Sequence, residues 1–393
     1  MSDDIVIAGY ARTPMCGFQG ALSAASAVDL GAAAVKAAVE RSGAHPDAID
    51  RIYMGCVLPA ALGQAPARQV ALGAGLPQSV QATTVNKMCG SGMQAAIMAG
   101  EALMAGAADI VIAGGMESMS NAPYALAAHR KGARIGHGQV IDTMMMDGLE
   151  DAYERGKPMG AFAEEMARQY GFSRADQDAY ALESLDRARA AIASGAFTDE
   201  IVPVLVPGRG TPTKVSEDEQ PAKAKPEKLP MLPPAFARSG TITAATSASI
   251  SDGAAALVLA RSSTAEKMGM NQEARIVAAI AHAHAPALFT TAPVFAIRKL
   301  LARVNWTVDN VDLFEVNEAF AVVAMIAMHD LGISHTKMNV NGGATALGHP
   351  IGASGARITA TLISALKHRG SRRGVAALCI GGGEATAVAI ELI

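Results

Sequence analysis

Residues 86–118 read NKMCGSGMQAAIMAGEALMAGAADIVIAGGMES, and this stretch predicts a turn, a helix and a buried strand in succession. Its middle is rich in alanine and methionine, which are good helix formers. The run IVIAGGMES is apolar and β-branched, as in strands that are covered on both faces. Cys89 stands directly before Gly-Ser-Gly. We therefore predict that Cys89 lies at the turn that enters the helix.

Apolar strand-like runs and helical stretches recur along the chain. The runs IVIAG at 5–9 and VAALCIGGG at 375–383 also predict buried parallel strands, and SAVDLGAAAVKAAVERSG at 26–43 predicts a helix with a serine cap and a terminal glycine. A long amphipathic helix is predicted within 173–195, and SISDGAAALVLA at 249–260 returns to strand character. Strands that alternate with helices indicate α/β layers with parallel sheets.

An internal repeat organises these elements. Three segments of the first half match three segments of the second half in the same order. They pair as HPDAIDRIYMGCV with TVDNVDLFEVNEAF, NKMCGSG with NVNGGATALGHPIGASGAR, and ADIVIAGGMES with GVAALCIGGGEA. Asp50 and Cys89 are 39 residues apart, and Asp312 and His349 are 37 residues apart. Two copies of one α/β unit would bring their turns together at the carboxyl ends of their strands.

Composition excludes several classes of function. The chain has 393 residues, 50% of them hydrophobic, and a formal net charge of −3, so no general basic field for nucleic acid or anionic lipid is expected. Glycines interrupt the apolar runs before the roughly 20 residues of a membrane span. The N-terminus carries no basic signal region, and we expect a soluble, cytoplasmic protein without membrane partners. The four cysteines are widely separated, which argues against structural zinc or a disulfide framework.

A cysteine at a strand-to-helix turn is a candidate nucleophile. The helix N-terminus favours the Cys89 thiolate below the free pKa of about 8.5, and the N–H groups of Gly90 and Gly92 are candidate oxyanion donors. The alternative is a tight turn that holds an inert buried cysteine. In the second copy His349 is a candidate base and Cys379 a second thiol acid or base, although a lone histidine is more often a satisfied buried residue.

These motifs resemble those of the thiolases, the acetyl-CoA C-acyltransferases, in the same order and over essentially the whole chain. The resemblance implies a thiolase-like α/β fold, with duplicated core domains in a five-layered arrangement and an inserted loop domain. We divide the chain into an N-terminal core at 1–120 plus 250–270, a CoA-binding loop domain at 121–249 and a C-terminal core at 271–393. Homodimers or homotetramers are expected.

The resemblance also assigns roles to residues of both halves. Cys89 would carry the acyl group, His349 would activate the Cys89 thiol, and Cys379 would exchange the α-proton of acetyl-CoA. Asn317 would hold a water in one oxyanion hole, and the backbone N–H groups of Cys89 and Gly381 would form the other. Coenzyme A would be a substrate, with no bound cofactor and no metal. Acyl transfer between the cysteine and coenzyme A or acetyl-CoA is the reaction that follows.

Substrate contacts are predicted from the same resemblance. They comprise Met159, Phe289, Ser247, Ala248, Leu149, Ala319, Phe320 and Lys223. Lys223, in a loop rich in Pro, Lys and Glu, is either part of a solvated face or a contact for a phosphorylated ligand. Phe289 beside Met159 predicts a short acyl pocket and a preference for acetoacetyl-CoA. Pro158, where many relatives carry histidine, argues for a more open pocket, so a broad-range 3-ketoacyl-CoA thiolase stays an alternative.

Two readings from other classes stay open at this point. GSGMQA at 90–95 fits the G-x-G-x-x-A pattern of dinucleotide-binding oxidoreductases, although the acidic residue expected about 20 positions later at a strand end is not in place. A thiolase-like scaffold could also bind acyl-CoA without catalysis. The joint presence of Cys89, His349 and Cys379 argues against the second reading.

Overall fold

The computed structural model describes residues 3–208 and 210–393; residues 1 and 2 of the predicted N-terminal core and residue 209 of the predicted loop domain lie outside the described residues. The strands are β1 Ile5–Arg12, β2 Cys16–Gly17, β3 Arg51–Gly55, β4 Gln81–Val85, β5 Ile110–Ser118, β6 Tyr124–Ala125, β7 Ile141–Asp142, β8 Val204–Val206, β9 Thr213–Val215, β10 Ser251–Arg261, β11 Ala274–Ala283, β12 Leu313–Val316, β13 Arg373–Ile380 and β14 Glu384–Leu392. The helices are α1 Ala27–Ser42, α2 Pro66–Gly73, α3 Ser91–Met104, α4 Met159–Tyr170, α5 Arg174–Ser194, α6 Gln220–Lys223, α7 Ser262–Met268, α8 Ala292–Val304, α9 Ala321–Leu331, α10 Ala344–Leu347 and α11 Ser354–His368.

One ten-stranded sheet forms the framework. Its order is β12-β13-β14-β11-β1-β10-β5-β3-β4, with β2 beside β10, and its two halves meet where β1 pairs antiparallel with β11. The prediction of parallel strands is only partly right. Strand β5 is parallel to β3 but antiparallel to β10, β13 is parallel to β12 but antiparallel to β14, and β1 is antiparallel to both neighbours. Burial on both faces makes a strand apolar throughout whatever its direction, so the apolar runs did not reveal the direction.

Three hydrophobic clusters separate five layers. The first lies between α1, α2 and the outer face of the N-terminal half-sheet, and the third between α8, α9 and the outer face of the C-terminal half-sheet. The second cluster encloses α3 and α11, which pack against each other and against both half-sheets. Helix α11 is buried from Ser354 to Leu366, as a helix in a central layer must be. The five-layered prediction is confirmed.

The repeat is visible in matching hydrogen bonds. One carboxylate oxygen of Asp50 accepts the backbone N–H groups of Asp109 and Ile110, at 2.7 and 3.1 Å, at the start of β5. In the other half, one oxygen of Asp312 accepts the N–H groups of Arg372 and Arg373, at 2.9 and 2.8 Å, at the start of β13. The two aspartates used to align the halves therefore hold equivalent strands in the same way.

Residues 121–249 have a different character. They contain α4, α5, α6 and two small two-stranded sheets, β6-β7 and β8-β9. The predicted long helix is α5, and its N-terminus has a capping box in which Ser173 and Asp176 bond each other's backbone N–H groups. The exact division into a loop domain and two cores stays a prediction.

Candidate active site

The candidate active site is a cavity of about 1000 Å³ that lies between the two halves, at the carboxyl ends of β4, β12 and β13. Most of the predicted site residues line it: Cys89, His349, Cys379, Gly381, Met159, Phe289, Ser247, Ala248, Leu149, Ala319 and Phe320. The predicted convergence of the two halves is therefore observed. Asn317 lies behind the lining and Lys223 lies outside it.

The turn that carries Cys89 is built by local hydrogen bonds. Met88 has φ of 47°, an uncommon left-handed conformation for a residue other than glycine, and its N–H donates to Oδ1 of Asn86 at 3.0 Å. The Ser91 hydroxyl donates to the Met88 carbonyl at 2.6 Å and accepts the N–H of Lys87 at 2.8 Å. Helix α3 then begins at Ser91, so the predicted strand-turn-helix setting of the cysteine is confirmed.

One predicted donor is occupied by this turn. The N–H of Gly90 donates to the carbonyl of Lys87 at 3.0 Å, so it is not available as an oxyanion donor and that prediction is wrong. Gly90 is needed for another reason. A Cβ atom there would lie 2.3 Å from Cδ1 of Ile380, on the strand that carries Cys379. The side chains of Lys87 and Glu384 form an ion pair at the same junction.

The predicted low pKa of Cys89 is wrong for this structure. Burial raises the pKa of the Cys89 thiol to about 11, although the backbone N–H groups of Gly381 and of Cys89 itself stabilise the thiolate. The stabilisation that the helix N-terminus gives the thiolate is thus smaller than the cost of removing the thiolate from water. A thiol whose pKa is raised in this way needs a base to remove its proton when it attacks.

His349 meets the requirements of that base. Its ring is buried, and burial, together with the charge of Arg357, lowers the pKa of His349 to about 3, so the ring is neutral. We assign the Ser354 hydroxyl hydrogen to the Pro350 carbonyl, 2.9 Å away, so that the hydroxyl oxygen accepts from Nδ1 of His349 at 2.5 Å. The proton then sits on Nδ1. Nε2, which finds no partner among the described residues, keeps its lone pair.

The second thiol lies one residue before the end of β13. Cys379 is 1% exposed, and burial and the neighbouring Cys89 raise the pKa of its thiol well above the ordinary value. The two thiols are therefore close enough to influence each other's ionisation. The glycines that follow, Gly381 and Gly382, also line the cavity. A protonated thiol beside exposed backbone can donate a proton and take it back.

Asn317 stands directly after β12 and is 1% exposed. Its Oδ1 accepts a hydrogen bond from Nη2 of Arg357 at 3.4 Å, which orients the amide. Its Nδ2 has no hydrogen-bond partner within the described part of the chain. A buried amide nitrogen without a partner is suited to hold a water molecule, so the predicted role for Asn317 fits this geometry.

Aromatic rings and methionines form the apolar wall. Phe289 is 2% exposed, and the Phe320 ring meets it edge-on with centroids 6.4 Å apart. Phe236 packs edge-on against Phe320 at 5.7 Å and lies so near Gly160 that a Cβ there would be 2.4 Å from its ring. Met159 lies over Gly381. The predicted pairing of Phe289 and Met159 in one cavity is therefore observed.

Sequence reasoning missed much of the lining. The missed residues include Val57, Met88, Met119, Met145, Met146, Tyr153, Phe236 and Ile351. The segment Met145–Leu149 is a π-helical turn, a form that is frequent at functional sites, and its glycine-containing sequence gave no distinct signal. These side chains come from separate loops that only the tertiary fold brings together.

Lys223 does not reach the cavity. Its ammonium group pairs with Glu219 at 2.6 Å on an exposed surface, and Lys225 and Lys228 are also absent from the lining. In the described part of the chain the lining includes no lysine or arginine. The assignment of this lysine-rich loop to a solvated face or to a phosphate contact stays a prediction.

Two absences concern residues 3–208 and 210–393. None of the helices there combines the length and apolarity needed to cross a membrane. Within the same residues, no cluster of three or more His, Cys, Asp or Glu side chains is placed to hold a metal ion.

The cavity, with its cysteine nucleophile, neutral histidine and second thiol, defines a cysteine-dependent acyl-transfer site. Comparison with known proteins agrees. The family models described as thiolase N-terminal domain and thiolase C-terminal domain match residues 5–263 and 270–392. The chain belongs to the thiolase family.

Individual relatives span the whole chain. A probable acetyl-CoA acetyltransferase of Escherichia coli is 48% identical over 389 residues, covering 99% of each chain. Acetyl-CoA acetyltransferase 2 of Arabidopsis thaliana is 49% identical over 393 residues, covering 99% of this chain and 97% of the relative. The dinucleotide-binding and non-catalytic readings are not favoured.

Solved structures give the same result. The acetyl-CoA acetyltransferase of Bacillus anthracis superposes with a TM-score of 0.97 at 40% identity, over 100% of this chain and 99% of that one. A thiolase from Ascaris suum in complex with coenzyme A superposes with a TM-score of 0.94 at 42% identity, over 99% of this chain and 100% of that one.

Proposed function

We propose that this thiolase is an acetyl-CoA acetyltransferase that cleaves acetoacetyl-CoA with coenzyme A and, in reverse, condenses two acetyl-CoA molecules. The observation that carries the proposal is the meeting of Cys89, His349 and Cys379 in one cavity. Relatives named acetyl-CoA acetyltransferase over the full chain support it. The complex with coenzyme A of the Ascaris thiolase supports coenzyme A as substrate.

The first step transfers the acyl group to the enzyme. Nε2 of His349 takes the thiol proton of Cys89 as the sulfur attacks the 3-keto carbon of acetoacetyl-CoA. The bond between carbons 2 and 3 then breaks, leaving an acetyl group on Cys89 and the enolate of acetyl-CoA. Cys379 gives its proton to the enolate carbon, and acetyl-CoA leaves. Backbone N–H groups and a water held by Asn317 stabilise the negative oxygens.

The second step returns the acyl group to coenzyme A. The incoming thiol of coenzyme A gives its proton to the Cys379 thiolate, and its sulfur attacks the acetyl carbonyl. The bond between the acetyl carbon and the Cys89 sulfur then breaks, and this sulfur recovers its proton from His349. Run backwards, the steps become a condensation in which Cys379 removes a proton from acetyl-CoA. Two thiols are needed because one is occupied by the acyl group while the other moves the proton.

The pocket should favour short acyl chains. The Phe289 ring is fixed between the α8 layer and Phe320, and a methylene that a pocket cannot accept costs roughly 1–3 kcal/mol of discrimination. We expect a higher kcat/KM for acetoacetyl-CoA than for 3-ketooctanoyl-CoA in a thiolysis assay. Phe289→Ala should shift this ratio toward the longer substrate, and Phe295→Ala, on the exposed side of α8, should leave it unchanged.

The opposite preference in the wild type would replace this proposal with a broad-range 3-ketoacyl-CoA thiolase. A wild-type preference for four carbons that Phe289→Ala fails to relax would mean that another side chain closes the pocket. In the proposed arrangement the acyl and pantetheine parts occupy the apolar cavity, and the phosphates lie beyond its lining.

The protein is further proposed to be a cytoplasmic homodimer or homotetramer with the three-part domain division given above. All four cysteines are free thiols, which fits a reducing compartment. Strand β4 ends the main sheet with an open edge, and the nearby apolar side chains Leu72 and Met104 are 46% and 70% exposed. An open edge beside apolar surface favours pairing with a second copy.

A further inference from the structure

A turn from the C-terminal half inserts into a niche of the N-terminal half. This turn, residues 350–353, follows His349 and precedes α11. The niche accepts it because glycines line the wall. A Cβ atom on Gly115 would lie 1.9 Å from the carbonyl oxygen of Gly352, and one on Gly55 would lie 2.7 Å from the same oxygen. The backbone of the base-bearing half therefore rests directly on strands β3 and β5 of the other half.

A fully buried carboxylate holds this turn. Oε2 of Glu117, on β5, accepts the N–H of Gly352 at 2.8 Å and the N–H of Val57 at 3.0 Å. Oε1 accepts the N–H of Leu58 at 3.0 Å and faces the thiol of Cys56 at 3.7 Å. The three backbone N–H groups offset part of the cost of burying the carboxylate. All of its partners are backbone groups or the thiol.

These contacts join the parts of the reacting centre. The Gly352 N–H is three residues after His349, while Glu117 lies on the strand beside β3, in the half that carries Cys89. Val57, one of the carboxylate's partners, and Ile351, which precedes the partner Gly352, both line the cavity. We propose that Glu117 is a positioning residue that fixes the His349 turn against the half carrying Cys89. This inference rests on the acyl-transfer function proposed above.

Replacement by glutamine tests the role with little change in shape. The amide keeps one acceptor oxygen and turns the other into an NH₂ donor, so one pair of partners must face a donor instead of an acceptor. Either the Gly352 turn or the 57–58 loop then shifts. A displacement of the catalytic groups by about 1 Å can lower turnover by about 100-fold. Substrate binding at positions far from these groups is unaffected.

The experiment compares thiolysis kinetics at pH 8, which favours the ionised form of Glu117 because burial raises its pKa to about 7. For Glu117→Gln we expect kcat to fall by about 10- to 100-fold, with KM for acetoacetyl-CoA within about twofold of the wild type. The matched control is Asp312→Asn, which makes the same exchange in a carboxylate that binds two backbone N–H groups at the far end of β13. That variant should keep the wild-type kcat.

A second variant approaches the same contact from the other side. Gly115→Ala places a methyl against the Gly352 carbonyl, and Gly100→Ala adds one in α3 with nothing within 4 Å. We expect a loss of kcat in the first and none in the second. A folded Glu117→Gln with wild-type kcat would overturn the proposal; if that variant does not fold, wild-type kcat in Gly115→Ala would overturn it.

The rate of Cys89 alkylation by iodoacetamide separates this inference from the proposed function. A base held near the thiol speeds alkylation, so Glu117→Gln should react more slowly than the wild type and Asp312→Asn should not. If the wild type fails to cleave acetoacetyl-CoA, the proposed function is wrong, whereas the alkylation rates still decide the positioning role. Equal rates in all three proteins would contradict that role.

Discussion

Cys89 is partly exposed and Cys379 is buried, and both line one cavity, yet the proposed chemistry gives them different tasks. Cys89 stands at a turn with the Gly381 N–H pointing at its sulfur, which favours negative charge there. Cys379 lies within a strand, and its pKa is raised further by the neighbouring Cys89. The first is therefore the better nucleophile and the second the better proton carrier.

Replacing Cys379 by alanine should separate these tasks. Cys379→Ala should still take an acetyl group on Cys89 from acetyl-CoA, because the nucleophile and its base are intact. It should fail to exchange the α-hydrogens of acetyl-CoA with deuterated water, which mass spectrometry of the recovered acetyl-CoA measures. Cys16→Ala, with a buried thiol outside the cavity, is the control and should exchange normally. Normal exchange in Cys379→Ala would remove this residue from the mechanism.

At the scale of single residues, the sequence pointed to the proposed reacting groups but not to their ionisation. Cys89, His349 and Cys379 could be found because each stands beside glycines at a predicted turn. The high pKa of Cys89 could not be predicted, since it depends on how much water the assembled halves exclude. The partner Ser354, which fixes the proton on Nδ1 of His349, became recognisable only once both side chains had positions.

Elements were predicted well where local chemistry decides them. Helix α1 begins after Ser26, whose hydroxyl accepts the N–H of Asp29 at 3.1 Å, while the Asp29 carboxylate accepts the N–H of Ser26 at 3.0 Å. The end of α1 at Gly43, which has φ of 73°, could also be predicted from the sequence. Strand direction was not, because β1, β5 and β13 are apolar on both faces and direction depends on which strands become neighbours.

The cap of α1 gives a prediction about stability. Ser26→Ala removes the acceptor for the Asp29 N–H and should lower the free energy of unfolding by about 1 kcal/mol. Ser79→Ala, at an exposed serine outside the helices, should change it little. Urea denaturation followed by circular dichroism measures both. Equal stability of the two variants would mean that tertiary packing alone fixes the start of α1.

At the scale of the whole molecule, the central layer contains buried charges behind the active site. Glu315 on β12 is 2% exposed and lies 3.8 Å from Nη1 of Arg357. Burial raises the pKa of Glu315 to about 8, because the attraction of Arg357 does not offset the loss of water. The folded protein then keeps a proton that the unfolded chain releases above about pH 4.5.

This buried proton should make stability depend on pH. As pH rises from about 4.5 to 8, the contribution of Glu315 to the free energy of unfolding should fall, and it should be constant above 8. Glu315→Gln has no ionisable carboxyl group at this position and therefore lacks this pH-dependent contribution. The melting temperature of the wild type should therefore drop relative to that of Glu315→Gln between pH 5 and pH 8, at matched protein concentrations. A relative rise would show that the ion pair with Arg357 dominates and lowers the pKa.

The whole-molecule architecture was only partly predictable. The repeat implied that the turns of both halves meet, and they do. Most of the cavity wall could not be predicted from the sequence, since Phe236, Tyr153 and the π-helical turn Met145–Leu149 come from loops without a repeating pattern. The position of Lys223 outside the cavity lining was unpredictable for a similar reason: a lysine-rich loop indicates charge but not which surface it faces.

The central claim is that Cys89 carries the acyl group. It is tested most directly by brief incubation of the wild-type protein with acetyl-CoA, acid quenching, and mass spectrometry of the intact chain and its peptides. We predict one acetyl group per chain, on the peptide that contains Cys89, and none in Cys89→Ala under the same conditions. An acetyl group on Cys379 or on any other residue, or a wild-type chain that takes none, would contradict the account.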